Sequence, residues 1–162
     1  LKQPELIGRL IVADIAPVNY NHDNLSIITA LEDVDLNLIK TRSDADKQLI
    51  KSIPEKMVRS FLLQNLVHGQ YQHEWRINIA VLKKSLSNLQ RFPSFSENQF
   101  FDGPTLFLAG TRSDFIEPKH HKIITTFFPG SSIVEIANAG HWIHADNPEG
   151  VISSVAYFLS ST

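Results

Sequence analysis

Two continuous apolar runs, Leu10-Ile11-Val12-Ala13 and Thr105-Leu106-Phe107-Leu108-Ala109, constrain this chain most. Neither alternates with polar residues, so each suits a strand covered on both faces, as in a parallel sheet flanked by helices. Each is followed by a polar turn, Asp14-Ile15-Ala16-Pro17 after the first and Gly110-Thr111-Arg112-Ser113-Asp114 after the second. A third strand is expected over Ser132 to Ile136, and a helix from Pro118 to Phe127 or Phe128 separates it from the second. The order strand, helical insert, strand, helix, strand, helix is that of a parallel α/β sheet.

Between the first two strands the pattern changes. From residue 21 to about 98, apolar residues recur at helical spacing and no strand is expected. Leu25, Ile28 and Leu31 begin the series. A charged helical stretch runs from Asp44 to Ile53. A helix is expected from Pro54 to Leu66, with Met57, Val58, Phe61 and Leu62 on one stripe. Another is expected from Glu74 to Leu89, carrying Trp75, Ile79, Leu82 and Leu86. Arg91 to Asn98 reads as a loop. The organisation is therefore a core strand segment, 1–20, an all-helical insert, 21–98, and a carboxyl-terminal core, 99–162. Inserts at the carboxyl edge of a sheet commonly act as lids.

Chemistry-bearing residues gather where such a sheet would use them, at strand ends. The stretch Asn138-Ala139-Gly140-His141-Trp142-Ile143-His144-Ala145-Asp146 follows the third strand. A histidine on that loop can project over the sheet edge, and imidazole titrates near neutral pH, as a general base requires. A turn histidine with no chemical role is the plainer alternative. Asp14 and Asp114 lie at the ends of the first two strands, and either can accept a ring N–H from His141 and fix its tautomer. Asp14 can equally cap its own turn. The order acid before histidine is that of hydrolases ordered Ser, Asp, His.

Composition excludes several classes. With no cysteine in 162 residues, the chain has no disulfide, thiol nucleophile or Cys-ligated zinc. A net charge of -2 gives no electrostatic reason for nucleic acid or an anionic membrane as partner. No apolar run reaches the roughly 18–20 residues of a membrane-spanning helix. No basic-then-apolar signal segment opens the chain, so a cytoplasmic location is the expectation. Leu1 enters mid-pattern, and an amino-terminal part of the natural protein is expected upstream.

Leu10 to Val18, Phe61-Leu62-Leu63-Gln64-Asn65-Leu66, Trp75-Arg76-Ile77-Asn78, Gly103 to Gly110 and Ala139 to Asp146 together resemble the second half of the α/β-hydrolase fold. The likeness is to its small esterase branch and runs over essentially the whole chain. It implies the carboxyl-terminal part of a parallel α/β-hydrolase sheet with an inserted helical cap. It implies serine esterase or thioesterase chemistry on short acyl substrates, with no cofactor and no resident metal. It makes His141 the general base and the acid either Asp114, the superfamily's usual place, or Asp14, with Asp114 set ahead. The acid that some relatives carry in the Trp-Arg-x-Asn helix is matched here by Ala80. Arg76 and Asn78 could orient a polar substrate end or bond cap to core. Trp142 reads as a packing anchor for the His141 loop before a substrate contact.

One departure is decisive for chemistry. A nucleophile elbow needs Gly-x-Ser-x-Gly on a strained strand-to-helix turn, and the chain contains none. Ser113 lacks the second glycine and reads as a turn residue. The expectation is an esterase's carboxyl-terminal part that lacks the nucleophile and is nearly inactive alone, its partner being the missing amino-terminal half of the fold. Two rivals stand beside it. A zinc hydrolase could draw on His141, His144, His120, His121 and Asp146, though none shows His-x-His or His-x-x-x-His spacing. A hydrolase fold without its nucleophile could also be a non-catalytic binding domain.

Overall fold

The computed structural model describes residues 1–21, 23–95 and 99–161. Residues 96–98, the end of the loop expected over Arg91 to Asn98, lie outside the described residues. The chain divides into two compact units, one formed by Leu1–Asn19 with Phe92–Thr162 and the other by Tyr20–Arg91.

The first unit is built on a three-stranded parallel sheet of β1 (Leu10–Ala13), β4 (Thr105–Gly110) and β5 (Ser131–Ile136), in the order β1-β4-β5. Register pairs Val12 with Phe107 and Phe107 with Ile133. The central strand β4 is buried at all six positions, as its unbroken apolar run requires. The same expectation fails for β1, whose residues are half-buried or, at Ala13, exposed. The reason is position: among the described residues β1 pairs with β4 alone.

Side-chain alternation along β4 assigns its two faces. Leu106 and Leu108 join Ile136, Ala139 and Ile143 in one cluster, against which Val151, Val155 and Phe158 of α7 (Pro148–Ser160) pack. The spacing i, i+4, i+7 places those three on one side of the helix. All three are partly buried, so each contributes less than the roughly 1.5–3 kcal/mol of a fully buried side chain. Phe107 points the other way and meets Phe128 edge to face at 5.3 Å between ring centroids, just past α5 (His121–Phe127). Asn147 starts α7: its side chain accepts from Gly150 N at 2.9 Å, and Pro148 fills the first helical position. Arg9 closes the other end by donating to Leu159 O at 2.6 Å, where the helix dipole favours a cation.

The second unit is mostly helical, with α1 (Asn24–Glu32), α2 (Arg42–Leu49), α3 (Lys56–Leu62) and α4 (Ile79–Leu89). Ala30, Leu31, Val34, Ile39, Ala45, Leu49, Ile53, Leu63 and Leu66 form its core. It is not all-helical. Leu66–His68 (β2) and His73–Trp75 (β3) make an antiparallel hairpin, Leu66 opposite Trp75 and His68 opposite His73. The expected helix from Pro54 therefore stops at Leu62, and the one expected from Glu74 begins only at Ile79. Two local bonds decide this. Gly69 N donates to Gln72 O at 2.8 Å and closes the hairpin turn. The Asn78 side chain accepts from Val81 N at 3.0 Å and starts α4 afresh. Trp75 continues the helical spacing of α4 by coincidence.

Candidate active site

The site forms where β1 and β4 end side by side. Asp14 N donates to Leu108 O at 2.8 Å, extending the β1–β4 ladder by one bond. The backbone then turns sharply: Asp14 has φ 46°, in the left-handed region. Asp and Asn enter that region more readily than other residues with a side chain. The Asp14 side chain is buried, and a buried carboxylate needs hydrogen-bond donors. Three converge on it. Gly110 N donates to Oδ1 at 2.8 Å, Ser113 Oγ donates to Oδ2 at 2.5 Å, and His141 Nδ1 lies 2.9 Å from the same Oδ2.

The loop carrying His141 is lashed to the loop after β4. Asn138 N donates to Thr111 Oγ1 at 2.9 Å, Arg112 N donates to Ala139 O at 2.9 Å, and the Arg112 guanidinium donates to Asn138 O. Gly140 N donates to Asp146 Oδ2 at 2.7 Å on the short helix α6 (Ile143–Asp146). Gly110 makes this approach possible. A Cβ there would lie 2.5 Å from Gly140 O and 2.6 Å from Ala139 O, both backbone atoms that cannot swing aside.

His141 itself is 44% exposed at the side chain. One ring face is covered by Phe115, stacked at 3.7 Å between centroids and 15° between planes. Its Nε2 makes no hydrogen bond among the described residues. Nδ1 on a carboxylate and Nε2 left open is the arrangement of an oriented imidazole base.

The two candidate acids thus separate. Asp114, set ahead on sequence, is exposed and makes no hydrogen bond or ion pair among the described residues. Asp14 reaches the ring because its left-handed turn carries the carboxylate back across Gly110. Ser113 is bonded to Asp14 and accepts from Phe115 N at 3.2 Å. Arg76 and Asn78 belong to the second unit. Arg76 is exposed, with its guanidinium 3.5 Å from Asn65 Oδ1, and Asn78 caps α4. Trp142, half-buried, precedes α6, and its carbonyl accepts from Ala145 N and Asp146 N.

His120 is turned to its own backbone, Nδ1 accepting from Glu117 N at 3.2 Å, while His121 and His144 are exposed. Among the described residues no three metal-ligating side chains converge. The sequence reading missed three contributors, Phe115, Gly110 and Ser113, the last read only as a turn residue. An aromatic in an otherwise polar strand-end loop was the available signal for the first, and a glycine at the last strand position for the second.

A family profile described as alpha/beta hydrolase fold matches residues 9–148. The chain is 36% identical over 166 residues to the sn-1-specific diacylglycerol lipase ABHD11 of Mus musculus, covering 99% of this chain and 53% of that protein. It is 31% identical to the esterase YbfF of Escherichia coli, covering 95% and 58%. Among solved structures, a marine microorganism esterase superposes with a TM-score of 0.91 at 34% identity, covering 97% of this chain and 62% of that one. The chain thus spans a little over half the length of these relatives.

Proposed function

Since the chain belongs to the α/β-hydrolase family, we propose that it carries the base and acid of a carboxylic ester or thioester hydrolase for short acyl substrates. The observation that carries this is the pairing of His141 Nδ1 with the fully buried Asp14 carboxylate at 2.9 Å. The esterase and lipase names of the relatives support the same reaction class.

In this reading His141 Nε2 takes the proton from a serine hydroxyl as the oxygen attacks the acyl carbonyl. It returns that proton to the leaving alkoxide or thiolate, which departs as alcohol or thiol. A water then repeats the sequence on the acyl-enzyme, giving the carboxylic acid and the free serine. Asp14 holds the ring with its proton on Nδ1 and stabilises the imidazolium formed in each step. Ser113 shares the acceptor Oδ2 and keeps it aimed at the ring. The nucleophile is assigned to a segment preceding Leu1, because the 162 residues contain no Gly-x-Ser-x-Gly. The cap role of the helical insert, and any substrate contact by Arg76, Asn78 or Trp142, rest on the resemblance alone.

The test uses the protein encoded by the whole reading frame that contains this chain, with a short p-nitrophenyl ester as substrate. His141→Gln should lower kcat by about 10³-fold or more. Asp14→Asn should lower it by roughly 10²–10⁴-fold through the wrong tautomer, while Asp114→Asn leaves it within about twofold. Unchanged hydrolysis in His141→Gln would sink the assignment. A whole protein that hydrolyses no ester or thioester would leave the non-catalytic binding domain.

A further inference from the structure

We infer that Phe115 is the positioning residue for the His141 ring, holding Nδ1 on Asp14 and Nε2 outward. This deepens the reading above, but it rests on geometry that can be tested without hydrolysis.

The bond from Nδ1 to Asp14 is only partly buried: the His141 side chain is 44% exposed, although that of Asp14 is only 1% exposed. Water can therefore compete for the ring N–H. A half-turn about χ2 would also put a carbon where Nδ1 sits and break the bond. Both the tilt toward water and the passage through a half-turn need room over the ring face. The Phe115 ring lies nearly parallel to the imidazole, 3.7 Å away. At that separation no water fits between the faces, and tilting the ring off Asp14 drives its edge into the phenyl plane.

Phe115 is itself tied to the acid. Its backbone N donates to Ser113 Oγ at 3.2 Å, and that hydroxyl donates to Asp14 Oδ2 at 2.5 Å. Residues 113–115 thus hold the carboxylate with one side chain and the imidazole face with another. A shift in this turn would move both partners of the bond together.

The experiment is NMR of the ring nitrogens in the protein encoded by the whole reading frame that contains this chain, labelled with ¹⁵N-histidine, with His141→Gln to assign the signals. The wild type should show the Nδ1–H form of His141 with a proton that exchanges slowly with water. Phe115→Met keeps apolar volume but removes the flat face. It should keep the amide fingerprint, mix the two tautomers and speed Nδ1–H exchange by about 2- to 12-fold, the factor equivalent to an aromatic pair's 0.5–1.5 kcal/mol. Phe115→Tyr should keep the wild-type signature. Phe115→Leu replaces the Met variant if the latter loses its fingerprint. Wild-type exchange and tautomer in the folded Met or Leu variant would overturn the inference while leaving the His141–Asp14 pair intact. A wild-type His141 protonated on Nε2 instead would overturn the pair and this inference together.

Discussion

Replacing Asp14 should cost stability in a graded way that Asp114 cannot match. In Asp14→Ala the three donors lose their common acceptor. They do not lose equally. Gly110 N is buried and has nowhere else to go, which costs about 1–3 kcal/mol for an orphaned donor. The Ser113 hydroxyl can rotate, and the His141 ring can turn to water, so each forfeits only a net bond of about 0.5–1.5 kcal/mol. Alanine at φ 46° adds roughly 1 kcal/mol of backbone strain that aspartate tolerates better. The total is about 3–7 kcal/mol. Asp14→Asn retains the backbone preference and the bond from Gly110, and its amide meets Ser113 and His141 only if both reverse roles, so about 1–2 kcal/mol is expected. Asp114→Asn, exposed and unbonded among the described residues, should stay within about 0.5 kcal/mol.

Urea unfolding followed by tryptophan fluorescence reads these differences. The chain has two tryptophans, Trp75 in the second unit and Trp142 in the first. A Trp75→Phe background therefore reports the unit that holds Asp14. An Asp14→Ala cost below about 1 kcal/mol, or an Asp114→Asn cost equal to that of Asp14→Asn, would refute the three-donor account.

Gly110→Ala should cost about 1–3 kcal/mol and push the His141 loop off Asp14, because its Cβ would stand 2.5 Å from Gly140 O; the same unfolding assay and loss of the slow Nδ1–H signal check it. In the second unit, Arg59 is 6% exposed and donates to Asp46 at 2.7 Å, Ile53 O at 2.9 Å and Pro54 O at 2.7 Å. Arg59→Met should destabilise that unit by about 2–4 kcal/mol, less than a fully buried pair because Asp46 keeps some contact with water, as read by Trp75 fluorescence in a Trp142→Phe background. The Thr41 hydroxyl, then the Thr41 backbone N–H, hold the Asp44 carboxyl below its ordinary value of 3.8. A carboxyl lowered on folding adds stability that is complete above 3.8 and lost as pH falls through the lower folded value. Acid titration of the second unit should show that loss, and Asp44→Asn should flatten it.

The sequence by itself determined the sheet and the neighbourhood of the site. Unbroken apolar runs at Leu10 and Thr105 are too short for a helix of ordinary length, and their alternation with helical segments points to a parallel α/β order, although only the Thr105 run is buried throughout. Polar residues directly after those runs must lie at strand ends, so Asp14, Asp114 and His141 were confined to one edge before any fold was seen. The two short strands of the second unit were not legible. Three residues are too few to show a period of two, and Trp75 happens to fall in step with the stripe of α4. Which carboxylate meets His141 was not legible either. Asp14 and Asp114 are chemically identical, and each lies in the turn that follows a strand. Only the tertiary structure turned one of them through φ 46° into a pocket made by Gly110, Ser113 and His141, residues 96, 99 and 127 positions away. Local pattern fixes which element a residue ends; a carboxylate's partners are set by where distant backbone passes, and that is decided only when the sheet is assembled.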